Sequence, residues 1–445
     1  MVKSSRKRLC FAGIILTLLI GGVFVWWSLI NRPYQVAIPP PPPVPSPNAY
    51  DCYIQALKQL RYACLPDYGN PKALGLDWDD GLAAKYTLAQ RDQLLAATRT
   101  GLGKLREGFA YPFQAPFAPP ESSVIYGALY QTKRGYRDEF LLARYLKFAA
   151  DTSIMHGDWD GAMTCDLDAL RLGSDIPQHD GMFGMSSATS CQRIGRVNIW
   201  KVIDHLNATQ ARAATQRLQE IIHRQVSQAD MWQQTTWGRQ AWLLQLFRQT
   251  NWRQQLQDHY GTNWQEVWEH IKYRYGPLDY LSFRMVSKRK LLTDYSDYMN
   301  RIIAESRKPY AVRASIPDPV GPQVILDPRY NQVTGLVSFN DTQNTLLLTA
   351  LALQAYKAEH GDYPPALTNL LPSYLAKLPD DPFARAGCLR YAVRGEKYLL
   401  YSIGPDGVDD GGRPVDEKWA FEGSKYFPLC ADTPRGDIVA GINIR

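Results

Sequence analysis

Apolar positions recur at helical spacing through most of the chain, and the exceptions fall at its two ends. Leu88, Leu94, Leu95, Leu102 and Leu105 repeat at broadly helical intervals, and Leu141, Leu142, Tyr145, Leu146 and Ala149 form a stripe of the i, i+3/i+4 kind. Gly157 and Gly161 bracket a turn, after which Ala162, Cys165, Ala169, Leu170 and Leu172 continue the pattern. Long helical stretches are also predicted over 208–248 and 280–307. Strand-like alternation is almost absent here, so residues 48–315 are expected to form an all-α domain.

The N-terminus departs from this pattern by losing its polar positions. Leu9–Ile30 is a run of 22 uncharged residues, and about 20 apolar residues cross a bilayer as a helix. Lys3, Arg6, Lys7 and Arg8 precede the run and only Arg32 follows it. The positive-inside rule then keeps residues 1–8 as a cytoplasmic tail and 9–30 as a transmembrane anchor, with the bulk of the chain outside the cytoplasm. A cleaved signal peptide is the competing reading, although its apolar core should be shorter and a small-x-small cleavage site should follow. Residues 31–47 form a linker whose Pro39–Pro43 run favours an extended polyproline spacer.

The C-terminus departs in the other direction, towards mixed structure. A Pro- and Gly-rich linker is expected over 316–336, and residues 337–445 form a further domain. Ser338-Phe339-Asn340-Asp341 has the form of a capping-type helix start. The segment Thr345–Tyr356 is apolar on nearly all sides, and Gly361 supplies a left-handed cap after His360. A short Pro-bounded helix is expected over Leu367–Ala376. Leu389–Val393 and Lys397–Ile403 then alternate with period two, joined by a hairpin at Arg394-Gly395-Glu396. Helix followed by antiparallel strands is an α+β arrangement.

Composition changes this picture in three places. The chain has 445 residues and a net charge of +7, but five of those charges are the flanking cations of the apolar run. The remainder is close to neutral, which argues against nucleic acid as a partner. Cys52, Cys64, Cys165, Cys191, Cys388 and Cys430 lie on the outer side and fall as three sequence-local couples, 52–64, 165–191 and 388–430. They read either as disulfides of an oxidising compartment or as buried thiols. Trp232, Trp237, Trp242, Trp252, Trp264, Trp268, Tyr273, Tyr275 and Tyr280 crowd one segment, as core packing or as a glycan- or peptide-binding cleft. The seven histidines are scattered and no nucleophile, zinc or phosphate-loop motif is present. No residue is assigned a catalytic role.

Two resemblances carry further expectations. Gly157-Asp158-Trp159-Asp160-Gly161-Ala162 with Ala169-Leu170-Arg171-Leu172 resembles the second half of a tetratricopeptide repeat, with Asp166 where that family has an aromatic; a generic helical hairpin reads equally well. Gly361-Asp362-Tyr363-Pro364, Leu378-Pro379-x-Asp381-Pro382-Phe383, Tyr401-Ser402-Ile403-Gly404-Pro405-Asp406-Gly407 and Asp409-Asp410-Gly411-Gly412 resemble the C-terminal domain of the major (G-type) pseudopilins of type II secretion systems. The resemblance implies a helix packed on a small antiparallel sheet and a structural calcium ion in the loop after the last hairpin strand. It carries over Ser402 as a carbonyl ligand, Asp406 and Asp410 as carboxylate ligands, Asp409 as the substitute in a shifted register, and Asp437 as the closing carboxylate. Lys7-Arg8-Leu9-Cys10-Phe11-Ala12-Gly13 lacks the glutamate of a pseudopilin processing site.

These readings combine into a single-pass inner-membrane protein of the bacterial envelope, with a transmembrane helix, an all-α middle and a small α+β C-terminal domain. Its expected role is structural or interactive, with the membrane and envelope or secretion-system proteins as partners. The alternative is an extracytoplasmic enzyme or a glycan- or peptide-binding protein that uses the aromatic-rich helical domain.

Overall fold

The computed structural model describes residues 36–63 except 41, 86–114, 133–178, 181–260, 286–317, 330–415 and 435–442, with a few positions between 17 and 28. The described residues are mostly helical and carry one small sheet of three strands. Among them no helix is long and apolar enough to cross a membrane. Most of the predicted span Leu9–Ile30 lies outside the described residues.

The chain divides into two compact units. The larger comprises Pro41–Thr235, Arg301–Ile316 and Arg329–Arg445, and the smaller Met1–Pro40, Thr236–Asn300 and Pro317–Pro328. This differs from the predicted division at 315 and 337. The C-terminal module shares one hydrophobic core with the helical body, running from Ala49 through Leu170 and Leu351 to Ile438.

The larger unit opens with helices α1 (Ala49–Ala63) and α2 (Leu88–Gly108). Thr87 starts α2 with a capping box, Thr87 and Gln90 satisfying each other's backbone N–H groups. Two glycines let α2 approach α1: a Cβ at Gly108 would lie 2.7 Å from the Tyr53 ring, and one at Gly101 2.9 Å from Leu60. Helices α3 (Lys133–Met155) and α4 (Trp159–Asp175) follow. They form a hairpin through the turn at 156–158, with the Asp158 side chain accepting from Gly161 N at 2.9 Å. Gly161 therefore sits in the first turn of α4 rather than bounding the loop. Helix α5 (Gly181–Val202) crosses α4 closely, because Gly173 and Gly195 replace side chains at the contact.

Where one helix is predicted over 208–248, two occur: α6 (Ala208–His223) and α7 (Gln228–Leu246). Ser227 causes the break by bonding Asp230 N and Asp230 Oδ2, which starts a new helix.

Helix α10 (Tyr330–His360), the last α-helix among the described residues, packs on α5, α6 and the sheet. It begins eight residues before the predicted Ser338 start. Tyr330, Thr334 and Val337 are buried, and the Ser338 hydroxyl accepts from Gln228 Nε2 instead of capping. Burial overrides the local stop signal. The predicted helix over Leu367–Ala376 shrinks to one 3₁₀ turn, Leu367–Leu370, since Pro372 cannot donate to a continuing helix. Strands β1 (Arg390–Arg394) and β2 (Lys397–Ser402) pair antiparallel, with Tyr391 opposite Leu400 and Gly395-Glu396 as the turn. Gly395 has φ +62°, as a tight hairpin requires. Strand β3 (Ile438–Val439) adds to β2, giving the order β1-β2-β3.

The smaller unit contains the rest of α7, helix α8 (Trp252–Tyr260) and most of helix α9 (Lys288–Ser306). Ser287 caps α9 through Lys290 N, so the helix predicted from 280 starts later; 261–285 lie outside the described residues. Phe247 meets Trp252 edge-on at 5.1 Å, and the Arg253 guanidinium covers the Trp252 ring at 4.3 Å. Gln240 Nε2 donates to Ser296 Oγ at 2.9 Å.

Candidate functional site

The loop after β2 is the site singled out by the sequence, and the fold brings its two ends together. Gly404 and Gly436 meet so closely that a Cβ at Gly404 would lie 2.2 Å from the Gly436 carbonyl oxygen, and both have positive φ. Pro414 and Asp437 form a parallel bridge, with Val415 N donating to Asp437 O at 2.9 Å and Asp437 N to Arg413 O at 2.7 Å. The predicted closing residue Asp437 is thus at the loop's centre, fully buried. Its carboxylate accepts from Gly412 N at 2.7 Å and from Asp410 N at 3.4 Å. Burial raises the Asp437 pKa, and the charges of Asp409 and Asp410 add to that rise.

The other predicted ligands face different partners. Asp409 accepts from Gly411 N at 3.0 Å and from the Tyr401 hydroxyl at 2.9 Å, and pairs with Arg390 Nε at 3.2 Å. The Gly411 N–H, then Tyr401 and Arg390, hold its carboxyl below the ordinary range. Asp406 accepts from Val408 N at 3.1 Å in a local turn. The Ser402 hydroxyl, as distinct from the carbonyl named as a ligand, donates to Asp381 Oδ1 at 2.6 Å. Asp410 is exposed and contributes its backbone N–H.

Asp381 is the residue that sequence reasoning passed over. It is buried, and it also accepts from Ile403 N and Phe383 N, both at 3.0 Å. Its place in the Leu378–Phe383 motif of the resemblance is the signal the sequence offers, with no role attached to it.

Calcium takes six to eight oxygen ligands around one centre. Among the described residues no three His, Cys, Asp or Glu side chains come together as metal ligands. Asp437 is already turned onto backbone N–H groups, and Asp409 onto a guanidinium. As arranged, the described carboxylates do not gather around one centre for the ion that the resemblance implies.

A second polar centre lies inside the larger unit, where the pattern read as plain helix. Arg196 on α5 is almost fully buried and donates through Nη1 to Asn340 Oδ1 and Asn344 Oδ1, both at 2.8 Å. Both asparagines donate in turn to Gln192 Oε1, at 2.8 and 2.9 Å. Burial, reinforced by the nearby Arg193 charge, pushes the Arg196 pKa down to about 9. One turn along, Gln228 bridges Ser338 Oγ and Arg313 Nη1. Asp341 borders this network, and burial raises its pKa to about 7 against the pull of Arg196, the Gln228 hydrogen bond and Arg313. The network ties α5, α7, the segment after α9 and α10 into one joint.

No protein-family model matches the chain, and no curated protein and no solved structure matches it.

Cys165 is a buried thiol whose Sγ accepts from Arg106 Nη2 at 3.4 Å, so the predicted 165–191 disulfide is not formed; burial pushes that thiol up to about 12. Cys165 on α4 faces Arg106 of α2 rather than Cys191. Cys52 and Cys388 are also thiols, while Cys64 and Cys430 lie outside the described residues. Of the aromatic cluster, Trp232 and Trp252 are core residues; Trp264, Trp268, Tyr273, Tyr275 and Tyr280 lie outside the described residues.

Proposed function

We propose that this chain is a membrane-anchored envelope protein with a structural or interaction role, in which a pseudopilin-like C-terminal module is docked permanently on a helical body. The Leu9–Ile30 run supplies the anchor, and the body and module lie on the outer face of the inner membrane beside a secretion or pilus-type machine.

One observation carries the reading. In a pilus-type subunit the long apolar helix is the surface through which copies assemble. Here Leu346, Leu347, Ala350, Leu351, Ala352, Leu353 and Ala355 of α10 are all buried within the same chain, and the helix spends its apolar surface against α5, α6 and β2. Such a module presents loops and strand edges to a partner instead of a polymerising helix.

The test is native co-purification of the full chain from membranes, with a reporter active only in the cytoplasm fused after Arg445. Recovery with inner-membrane secretion proteins and a silent reporter are expected. An active reporter would overturn the topology. Filaments built from this chain would overturn the docked-module role.

A further inference from the structure

Outside both centres lies a buried carboxyl group that finds no hydrogen to accept. Asp166 is on α4 with no solvent exposure, and neither of its carboxyl oxygens meets a donor. The tight α4–α5 crossing puts it there: a Cβ at Gly195 would come within 2.5 Å of the Asp166 carbonyl oxygen. On the α5 side stands Asn198, equally buried, whose Nδ2 donates to Asp151 Oδ1 of α3 at 2.7 Å. Asn198 Oδ1 has no donor either. Asp151 pairs with Lys147 at 2.7 Å.

Both Asp166 carboxyl oxygens and Asn198 Oδ1 are therefore buried without a hydrogen to accept. Turning the Asn198 amide over would not help, because its oxygen would then face the Asp151 carboxylate. An ionised Asp166 would be a second negative charge in a dry site with no donor to stabilise it. A neutral carboxylic acid carries the one O–H that the site lacks, and the Asn198 side chain is the hydrogen-bonding group beside it.

We propose that Asp166 retains a proton in the folded protein and donates it to Asn198 Oδ1, so that Lys147, Asp151, Asn198 and Asp166 form a proton-locked joint between α3, α4 and α5. The charges that face it are Asp151 and Lys147 from α3 and Lys201 from α5. From α6, which also packs on α4, Arg217 is engaged instead by Asp168 and the Thr164 carbonyl. Burial and the Asp151 charge both push the Asp166 pKa well up, against the two lysines and the Asn198 side chain.

The sign of the pH dependence follows. The folded chain holds a proton that the unfolded chain releases above about pH 4. Stability from this group is therefore complete below that pH and falls as pH rises towards the folded pKa. The joint loosens with alkali.

Urea unfolding of the full chain from pH 5 to pH 8 tests this, comparing wild type with Asp166→Asn, which keeps a donor but has no proton to lose. Other buried acids such as Asp341 titrate in both and cancel. The unfolding constant of wild type relative to the variant should rise about tenfold per pH unit. Parallel pH profiles would overturn the proposal. If the variant does not fold, the carboxyl carbon resonance of Asp166 in wild type decides. A chemical shift of the protonated acid, constant across that range, supports the joint, and that of a carboxylate sinks it.

Discussion

The two halves of α10 are buried to a similar degree by opposite chemistry. From Tyr330 to Asn344 the helix hides Thr334, Ser338, Asn340, Thr342, Gln343 and Asn344; from Thr345 onward it hides mainly leucine and alanine. Apolar contact is non-directional and scales with area, so the second half supplies most of the attraction but tolerates small shifts along the helix axis. Hydrogen bonds demand defined angles and distances. The clasp of Asn340 and Asn344 on Arg196 and Gln192 is satisfied in one register, so the first half selects the position at which the second half packs.

The widest break in this comparison removes the helix altogether. A chain ending at Ile316 would expose the α5 and α6 surfaces that α10 covers, and is expected to be recovered only as insoluble protein; a soluble, cooperatively melting product would refute the shared core. Leu351→Ala comes next, with a loss of about 2–5 kcal/mol from a cavity in the apolar half, read by urea unfolding, while hydrogen exchange along α10 keeps its native pattern. Asn344→Ala takes an acceptor from the buried Arg196 and should cost about 1–3 kcal/mol. Its signature is different: faster exchange along α10, because register is lost before compactness. Equal exchange patterns in the two variants would erase the distinction between the halves.

Smaller effects are expected at the rim. Arg212 on α6 holds Glu359 in a two-pronged pair, at 2.5 and 2.8 Å, and covers the Tyr374 ring at 4.0 Å. The Arg212 and Tyr374 hydrogen bonds pull the Glu359 pKa down to about 2, so the pair persists above the ordinary carboxyl pKa and is lost only as pH falls towards that value. Both groups reach solvent, and exposed pairs contribute little. Arg212→Ala should leave the melting temperature almost unchanged. The smallest effect is expected from calcium. With Asp409 on Arg390 and Asp437 on backbone N–H groups, calorimetry of the full chain in calcium and in chelator should give the same melting temperature. A rise with calcium that disappears in Asp406→Ala plus Asp410→Ala would restore the cation to the loop.

How legible all this is in the sequence depends on the range of the interaction that decides it. The helical body, the Gly361 cap and the Gly395 hairpin are local features, written within a few residues, and they appear where periodicity and glycine place them. The start of α10 is not local. Ser338 carries a capping signature, yet Gln228, 110 positions away, claims its hydroxyl. The acidic loop is visible as a cluster of aspartates, but which group each one faces depends on Arg390, Tyr401 and residues beyond the 416–434 segment. Arg196 reads from sequence as an ordinary helix position and Asp166 as a departure from a repeat pattern; only the packing of three helices shows both to be buried.

The clasp on Arg196 also sets a timetable. Its partners Asn340 and Asn344 follow it by 144 and 148 positions, so a ribosome must add a third of the chain before that joint can close. Until then α5 and α6 carry uncovered apolar faces and a buried-type arginine without its amides. Closing so large a loop carries an entropic cost that short-range helix pairing does not. The hairpins of α1 with α2 and α3 with α4 can form as they emerge, whereas final locking waits for the last quarter of the protein. An incomplete chain is therefore a ready substrate for chaperones or proteases, and any truncating lesion upstream of Tyr330 is expected to be cleared rather than to accumulate.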